Sequence, residues 1–203
     1  VLCSDFFSRY VTPKDTVLDL GAGLCDFINS IECGPKYALD LSPEVEQLAN
    51  PDVTAVVGDA LQLGEHAFPP FDVVFASNVF EHVESKAILA QILKNVLSVL
   101  RPGGSLLVMQ PNLRYVGGKY WDFLDHHIPL THVSMSEALL LTGFEIEEVR
   151  PRFLPYTSKS AIPQHPALVK LYLRFRPAQW LLGEQMFLVA RRPFDSPQGA
   201  PPR

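Results

Sequence analysis

Asp19-Leu20-Gly21-Ala22-Gly23 sets a carboxylate two residues ahead of a Gly-x-Gly turn, and Asp40 follows seventeen positions after Gly23. The two glycines leave the backbone bare, so that a ligand can touch it. A carboxylate just before such a turn suits a cation that carries an amino group. Asp40, with Leu41 beside it, closes the next apolar run and is placed to accept hydrogen bonds from ribose hydroxyls. Asp59-Ala60 puts another acid at the end of a third run, and Ser77-Asn78 lies beyond a fourth, where open α/β sheets hold ligands. A different chemistry is offered by Asp125-His126-His127: a carboxylate can orient an imidazole, and histidine titrates in the range a general base needs. His126 and His127 are therefore candidate catalysts. Each set has a plainer reading. Asp19, Gly21 and Gly23 could form an ordinary strand-to-helix turn, Asp40 and Asp59 could be helix caps or turn formers, and Glu81-His82 could cap the following helix, the catalytic reading of His82 resting on its motif alone.

These residues need a sheet to position them. Thr16–Leu20 is apolar and β-branched, breaks at the glycines, and is followed by a short helix over Leu24–Ser30 whose free N–H groups would face the same ligand. Further strands read as Lys36–Asp40, Thr54–Val57, Phe71–Ala76, Ser105–Gln110, Phe144–Val149 and Gln185–Arg191. Glu84–Leu100 carries a helical stripe of Ile88, Leu89, Ile92, Val96, Val99 and Leu100, and stops at Arg101-Pro102-Gly103-Gly104. Ser136–Thr142 is a second helix, closed by Gly143. Alternating strands and helices predict an α/β fold with a largely parallel sheet covered on both faces.

The motifs fall in a familiar order. Thr16–Gly23 resembles the first motif of the Rossmann-like S-adenosylmethionine (SAM) dependent methyltransferases, acidic-x-Gly-x-Gly-x-Gly, with Cys25 standing for the last glycine. Val57-Gly58-Asp59-Ala60 resembles that family's third-strand acidic motif. Phe71–Val83 resembles its fourth-strand motif, Leu100–Val108 the turn into its fifth strand, and Thr142-Gly143-Phe144-Glu145 the entry to its sixth. The resemblance implies a Rossmann-like three-layer sandwich over residues 1–192, with a mostly parallel seven-stranded sheet and an antiparallel last strand. It implies SAM as cofactor and S-adenosylhomocysteine as product, held by Asp19, Gly21, Gly23, Asp40, Leu41, Asp59, Ala60, Ser77 and Asn78. Asp59 and the next backbone N–H would read the adenine. The connection 111–133 would shape the acceptor pocket. The Asp-His-His loop, with Leu154-Pro155-Tyr156-Thr157, is similar to stand-alone methyltransferases of bacterial cell-surface glycan synthesis, which points to a small-molecule or sugar acceptor, even one linked to a lipid phosphate, methylated at oxygen sooner than at nitrogen.

Two other classes share features of this pattern. A nicotinamide-dependent oxidoreductase has the same architecture but wants a third glycine where Asp26 stands. A catalytically silent SAM-binding protein would keep Asp19, Asp40 and Asp59. At 203 residues the chain suits one well-buried core, and 47% hydrophobic with 19% charged residues is the composition of a folded soluble protein. Three cysteines without C-x-x-C spacing favour a reducing, cytoplasmic setting over a disulfide scaffold. The opening at Val1 without methionine or signal-peptide layout reads as a trimmed start. A net charge of −5 speaks against general nucleic-acid binding. The charge is uneven: between Glu148 and Glu184 there is no acid, while Arg150, Arg152, Lys159, Lys170, Arg174 and Arg176 are all basic. With its many leucines and aromatics this insert (150–183) is expected to lie over the acceptor pocket and to favour an anionic acceptor or an anionic membrane, the alternative being a crossover helix with its charges in water. Asp122, His126, His127 and His132 match no standard zinc spacing, and no metal is expected. Tyr120, Trp121 and Phe123 read in part as a small aromatic core under their loop. The tail from Pro193 is expected to be disordered.

Overall fold

The computed structural model describes residues 1–156 and 165–194. At its centre β1 (Val17–Leu20) is buried at every position, as a strand covered on both faces must be. It pairs in parallel with β2 (Lys36–Asp40) on one side and β4 (Phe71–Ser77) on the other. With β3 (Val53–Val57), β5 (Leu100–Pro111), β6 (Glu145–Arg150) and β7 (Gln185–Arg191) they form a seven-stranded sheet in the order β3-β2-β1-β4-β5-β7-β6. The strands are parallel except β7, which runs antiparallel to both β5 and β6.

Alternate strand residues feed two cores. Leu18, Leu20, Val74, Ala76, Leu106 and Val108 face one layer, where Leu89, Ile92, Leu93 and Val96 of α4 (Lys86–Val99) and Met135 and Leu139 of α6 (His132–Leu141) pack. Val17, Val73, Phe75, Leu107, Phe187 and Val189 face the other, against Phe6, Phe7, Phe27, Ile28, Phe153 and Leu173. The latter come from α1 (Leu2–Asp5) and the turn after it, α2 (Asp26–Ser30), the segment after β6 and α7 (Pro166–Arg174). The short α3 (Val45–Leu48) and α5 (Leu113–Val116), and α8 (Arg176–Leu182), complete the labelled helices.

Several boundaries differ from those read in the sequence, each for a local reason. β5 starts at Leu100 because Leu100 pairs with Phe71 ahead of a bulge, with Gly103 at φ 79°, before the regular register resumes at Ser105. α4 begins at Lys86, not Glu84, since the Ser85 side chain caps it by accepting from Ile88 N–H. α6 starts at His132, ahead of Ser136, because Thr131 and Ser134 form a reciprocal capping box. The connection expected over 111–133 is therefore shorter, and it contains α5. α2 begins at Asp26 because Cys25 adopts a left-handed φ of 59°. Residues 195–203, Lys159 and Thr157 lie outside the described residues.

Candidate active site

The sheet order reverses between β1 and β4, and a cleft of ≈970 Å³ opens there at the carboxyl ends of the strands. All nine residues expected to hold the cofactor line it: Asp19, Gly21, Gly23, Asp40, Leu41, Asp59, Ala60, Ser77 and Asn78. Packing and a positive φ favour glycine at Gly21, and the positive φ alone favours it at Gly23. A Cβ on Gly21 would stand 2.5 Å from Val79 Cγ2, and Gly21 and Gly23 have φ of 66° and 50°. Asn78, the following strand's equivalent, is also left-handed at φ 53°, a conformation its short amide tolerates. Cys25, where the motif it resembles has its last glycine, adopts a left-handed backbone, and its thiol is buried in the core behind the cleft.

Asp40 ties two loops together, accepting from Gly23 N–H through Oδ2 and from Ser42 N–H through Oδ1, each at 2.8 Å. Each oxygen keeps a lone pair for a further donor. Asp59 does act as a cap, accepting from Leu61 N–H at 2.9 Å, and it still lines the cleft. Asp19 is 3% exposed, and burial pushes its carboxyl up to about 7, with Asp40 and Asp26 raising it further against a backbone hydrogen bond from Ile28. Such a concentration of acid is poised for a cation. The charges of SAM suit it: a sulfonium and an ammonium would meet the acids here, whereas the pyrophosphate of a dinucleotide would bring negative charge to the same place.

At the other end the cleft is lined by Val79, His82, Val83 and Met109. His82 follows β4 in a short 3₁₀ turn (Phe80–His82), and its Nδ1 lies 3.2 Å from Asp125 Oδ2 and 3.1 Å from the Asp125 carbonyl. The two expected catalysts do not line the cleft. His127 is exposed, and its backbone N–H donates to the Glu81 carbonyl at 2.9 Å. His126 is buried behind His82, ring to ring at 5.0 Å, and is clamped by Tyr120 and Phe123 at 4.6 and 5.2 Å. Burial holds its imidazole below the ordinary range. Beside it Glu81 is also buried, which pushes its carboxyl up to about 8. Glu81 is the residue sequence reasoning took for a cap. Its partner stands 45 positions away, and only the fold of the loop brings them together.

The fold also places the other residues singled out on this side. Asp122, His126, His127 and His132 do not converge. His132 begins α6, meets Asn112 at 2.9 Å and stacks on Tyr115, while Asp122 is exposed. The aromatic core is present: Tyr120 is fully buried and its hydroxyl donates to the Ile128 carbonyl at 2.6 Å. The basic insert does not cover the cleft, since none of its described residues lines it. Its charges go elsewhere: Lys170 to Asp5 (3.5 Å), Arg150 and Arg176 to Glu148 (2.6 and 3.6 Å), and Arg152 to the carbonyls of Leu181 and Gly183. All three cysteines are free, and among the described residues no helix is long and apolar enough to cross a membrane.

A family model described as a methyltransferase domain matches residues 18–108, from β1 to β5. Among curated proteins no match is found. Solved structures share the fold at low identity. A SAM-dependent methyltransferase from Archaeoglobus fulgidus is 17% identical over 92% of this chain and 90% of its own, with a TM-score of 0.66. One from Mesorhizobium loti is 21% identical over 88% and 91%, at 0.62. The N-methyltransferase NodS from Bradyrhizobium japonicum, in complex with S-adenosylhomocysteine, is 14% identical over 95% and 90%, at 0.63.

Proposed function

We propose that this chain is a SAM-dependent methyltransferase, a reading supported by the methyltransferase-domain match over residues 18–108 and the shared Rossmann-like fold, and that it methylates a hydroxyl oxygen, in preference to a nitrogen, of a small-molecule or sugar acceptor. When bound, SAM supplies a methyl already activated by its sulfonium. The chain's own work is then to hold the donor and align the acceptor oxygen within ~3–3.5 Å of that methyl while excluding water. Asp19 would hold the ammonium, Asp40 the ribose hydroxyls, and Asp59 with the Ala60 N–H the adenine. Leu41, Ser77 and Asn78 would complete the walls. The observation that carries the oxygen reading is His82, an imidazole in the cleft wall buttressed by Asp125 at 3.2 Å. An unprotonated amine attacks without help, whereas a hydroxyl gains from a group that takes or displaces its proton. His126 would position His82 from behind, and His127 would stay outside the chemistry. Supplying methyl-labelled SAM with paired acceptors that differ only in a hydroxyl or an amine tests this. The expected product is the methyl ether; exclusive labelling of the amine would overturn it.

A second feature bears on where the acceptor resides. Leu168, Leu171, Phe175, Trp180, Leu181 and Leu182 of the α7–α8 region are exposed, Trp180 at 74% and Leu181 at 70%, beside Lys170, Arg174 and Arg176. This face would rest on an anionic membrane that carries a lipid-phosphate-linked acceptor, each basic residue near the surface adding about 1 kcal/mol. Co-sedimentation with anionic vesicles, weakened by salt and absent with neutral ones, is the expected outcome. Equal, negligible binding to both would contradict it.

A further inference from the structure

Glu81, His82 and His126 each bring one ligand-capable atom to within 4.8 Å of the other two. Glu81 is 1% exposed and its Oε2 has no hydrogen-bond partner; His126 is 8% exposed and its Nδ1 has none. Buried polar atoms are ordinarily satisfied, so two orphans facing one small space ask for a missing partner. A carboxylate oxygen accepts only. A nitrogen that ligates must be a bare lone pair. A shared cation would satisfy both, displacing any proton that Glu81 holds.

We propose that Glu81, His82 and His126 bind one divalent transition-metal ion of the zinc class, with an open coordination position toward the cleft. Two imidazoles and one carboxylate are a ligand set of open metal sites, and imidazole selects such ions over magnesium, which prefers oxygen. The supporting contacts are those such ligands usually have. His82 Nδ1 is occupied by Asp125 at 3.2 Å, which leaves Nε2 as its open nitrogen. The His126 ring is held between Tyr120 and Phe123, and its Nδ1 stays free. The fold fixes the third ligand through the Glu81 carbonyl. It accepts from His127 N–H at 2.9 Å and so draws the loop back over the 3₁₀ turn. Because His82 lines the cleft, an exogenous oxygen can reach the ion.

The catalytic consequence rests on the methyl-transfer reading above. An acceptor hydroxyl on the open position gives its proton to solvent, its oxygen forms the C–O bond as the C–S bond of SAM breaks, and the sulfonium leaves as a neutral thioether. Binding itself is tested without any acceptor. Untagged protein is stripped with a chelator, dialysed against Zn²⁺ and assayed for bound metal, alongside Glu81→Gln, His82→Gln and His126→Gln. One equivalent in the wild type is expected, with affinity at least ~100-fold weaker in each variant, since even supporting residues typically cost 10–100-fold. His82→Gln guards against misfolding, because its side chain is 38% exposed at the cleft. A wild type that retains no zinc, or three variants that retain it equally, would overturn the proposal. SAM calorimetry on the stripped protein keeps the two readings apart: unchanged SAM affinity is expected there. Full methyl transfer in chelator, with zinc binding intact, would leave the site and remove its catalytic role.

Discussion

The two ends of the cleft are built in different ways. At the β1–β2 end the candidate cofactor residues sit at or just past strand tips, and contacts between adjoining strand tips and turns do the positioning. Gly21 turns under Val79, Gly23 donates to Asp40, and Asp40 reaches on to Ser42. At the His82 end three short-range facts are useless alone: a 3₁₀ turn after β4, a loop past α5, and an aromatic clamp from Tyr120 and Phe123. Only their convergence makes a site. The first end is built from backbone turns and strand-ending acids, while the second is assembled from segments far apart in sequence. That division predicts which substitutions act on the donor and which on the acceptor.

The largest effect should come from the tertiary end. His82→Gln is expected to lower turnover about 10²–10⁴-fold, with the Km for SAM little changed. His127→Gln, made three residues from Leu130 in the same loop but on an exposed ring, should leave turnover within about twofold, as a surface change does. Steady-state kinetics on both variants would blur the comparison if His127 proved the more costly.

At the local end Asp40→Ala removes a charge-assisted contact to the ribose and both loop hydrogen bonds. Its cost should be about 1.5–3 kcal/mol, or roughly ten- to a hundredfold in SAM affinity by calorimetry. Unchanged affinity would remove Asp40 from the cofactor site.

A smaller and graded effect follows from Asp19. Its carboxyl, raised from 3.8 to about 7 by burial and by Asp40 and Asp26, holds a proton in the free protein below that pH. The unfolded chain has lost that proton by then, so the free protein should lose stability as pH rises between about 4 and 7. Binding an ammonium needs the ionised form. SAM affinity should therefore weaken as pH falls below 7, by at most about tenfold per unit. Asp19→Asn should flatten both slopes. A pH-independent affinity in the wild type would show that Asp19 does not face the ammonium.

The same division explains what the sequence disclosed. The strand tips, the glycines and the placing of nine candidate cofactor residues in one cleft were legible because a Gly-x-Gly turn and a strand-ending acid are local requirements, and apolar alternation marks the strands. Boundaries went astray where a side chain or a bulge decided them: Ser85 at α4, the Thr131–Ser134 box at α6, and the Phe71–Leu100 pairing at β5. At the other end the fold separates what the sequence set side by side. Asp125-His126-His127 looked like a unit, but the loop turns His126 inward to Glu81 and His127 outward, and gives Asp125 to His82. No spacing in the chain records a pairing across more than forty residues. The basic insert misled similarly, since the acids that answer it, Asp5 and Glu148, come from outside it.

That the two ends are separable is the central claim, and one titration addresses it most directly. S-adenosylhomocysteine is titrated into the wild type, Asp40→Ala, His82→Gln and the double variant. Independent sites should add within about 0.5 kcal/mol, so His82→Gln should leave the affinity unchanged with or without Asp40. A loss in His82→Gln as large as that in Asp40→Ala, or a coupling well above that margin, would contradict the account and make the cleft a single unit.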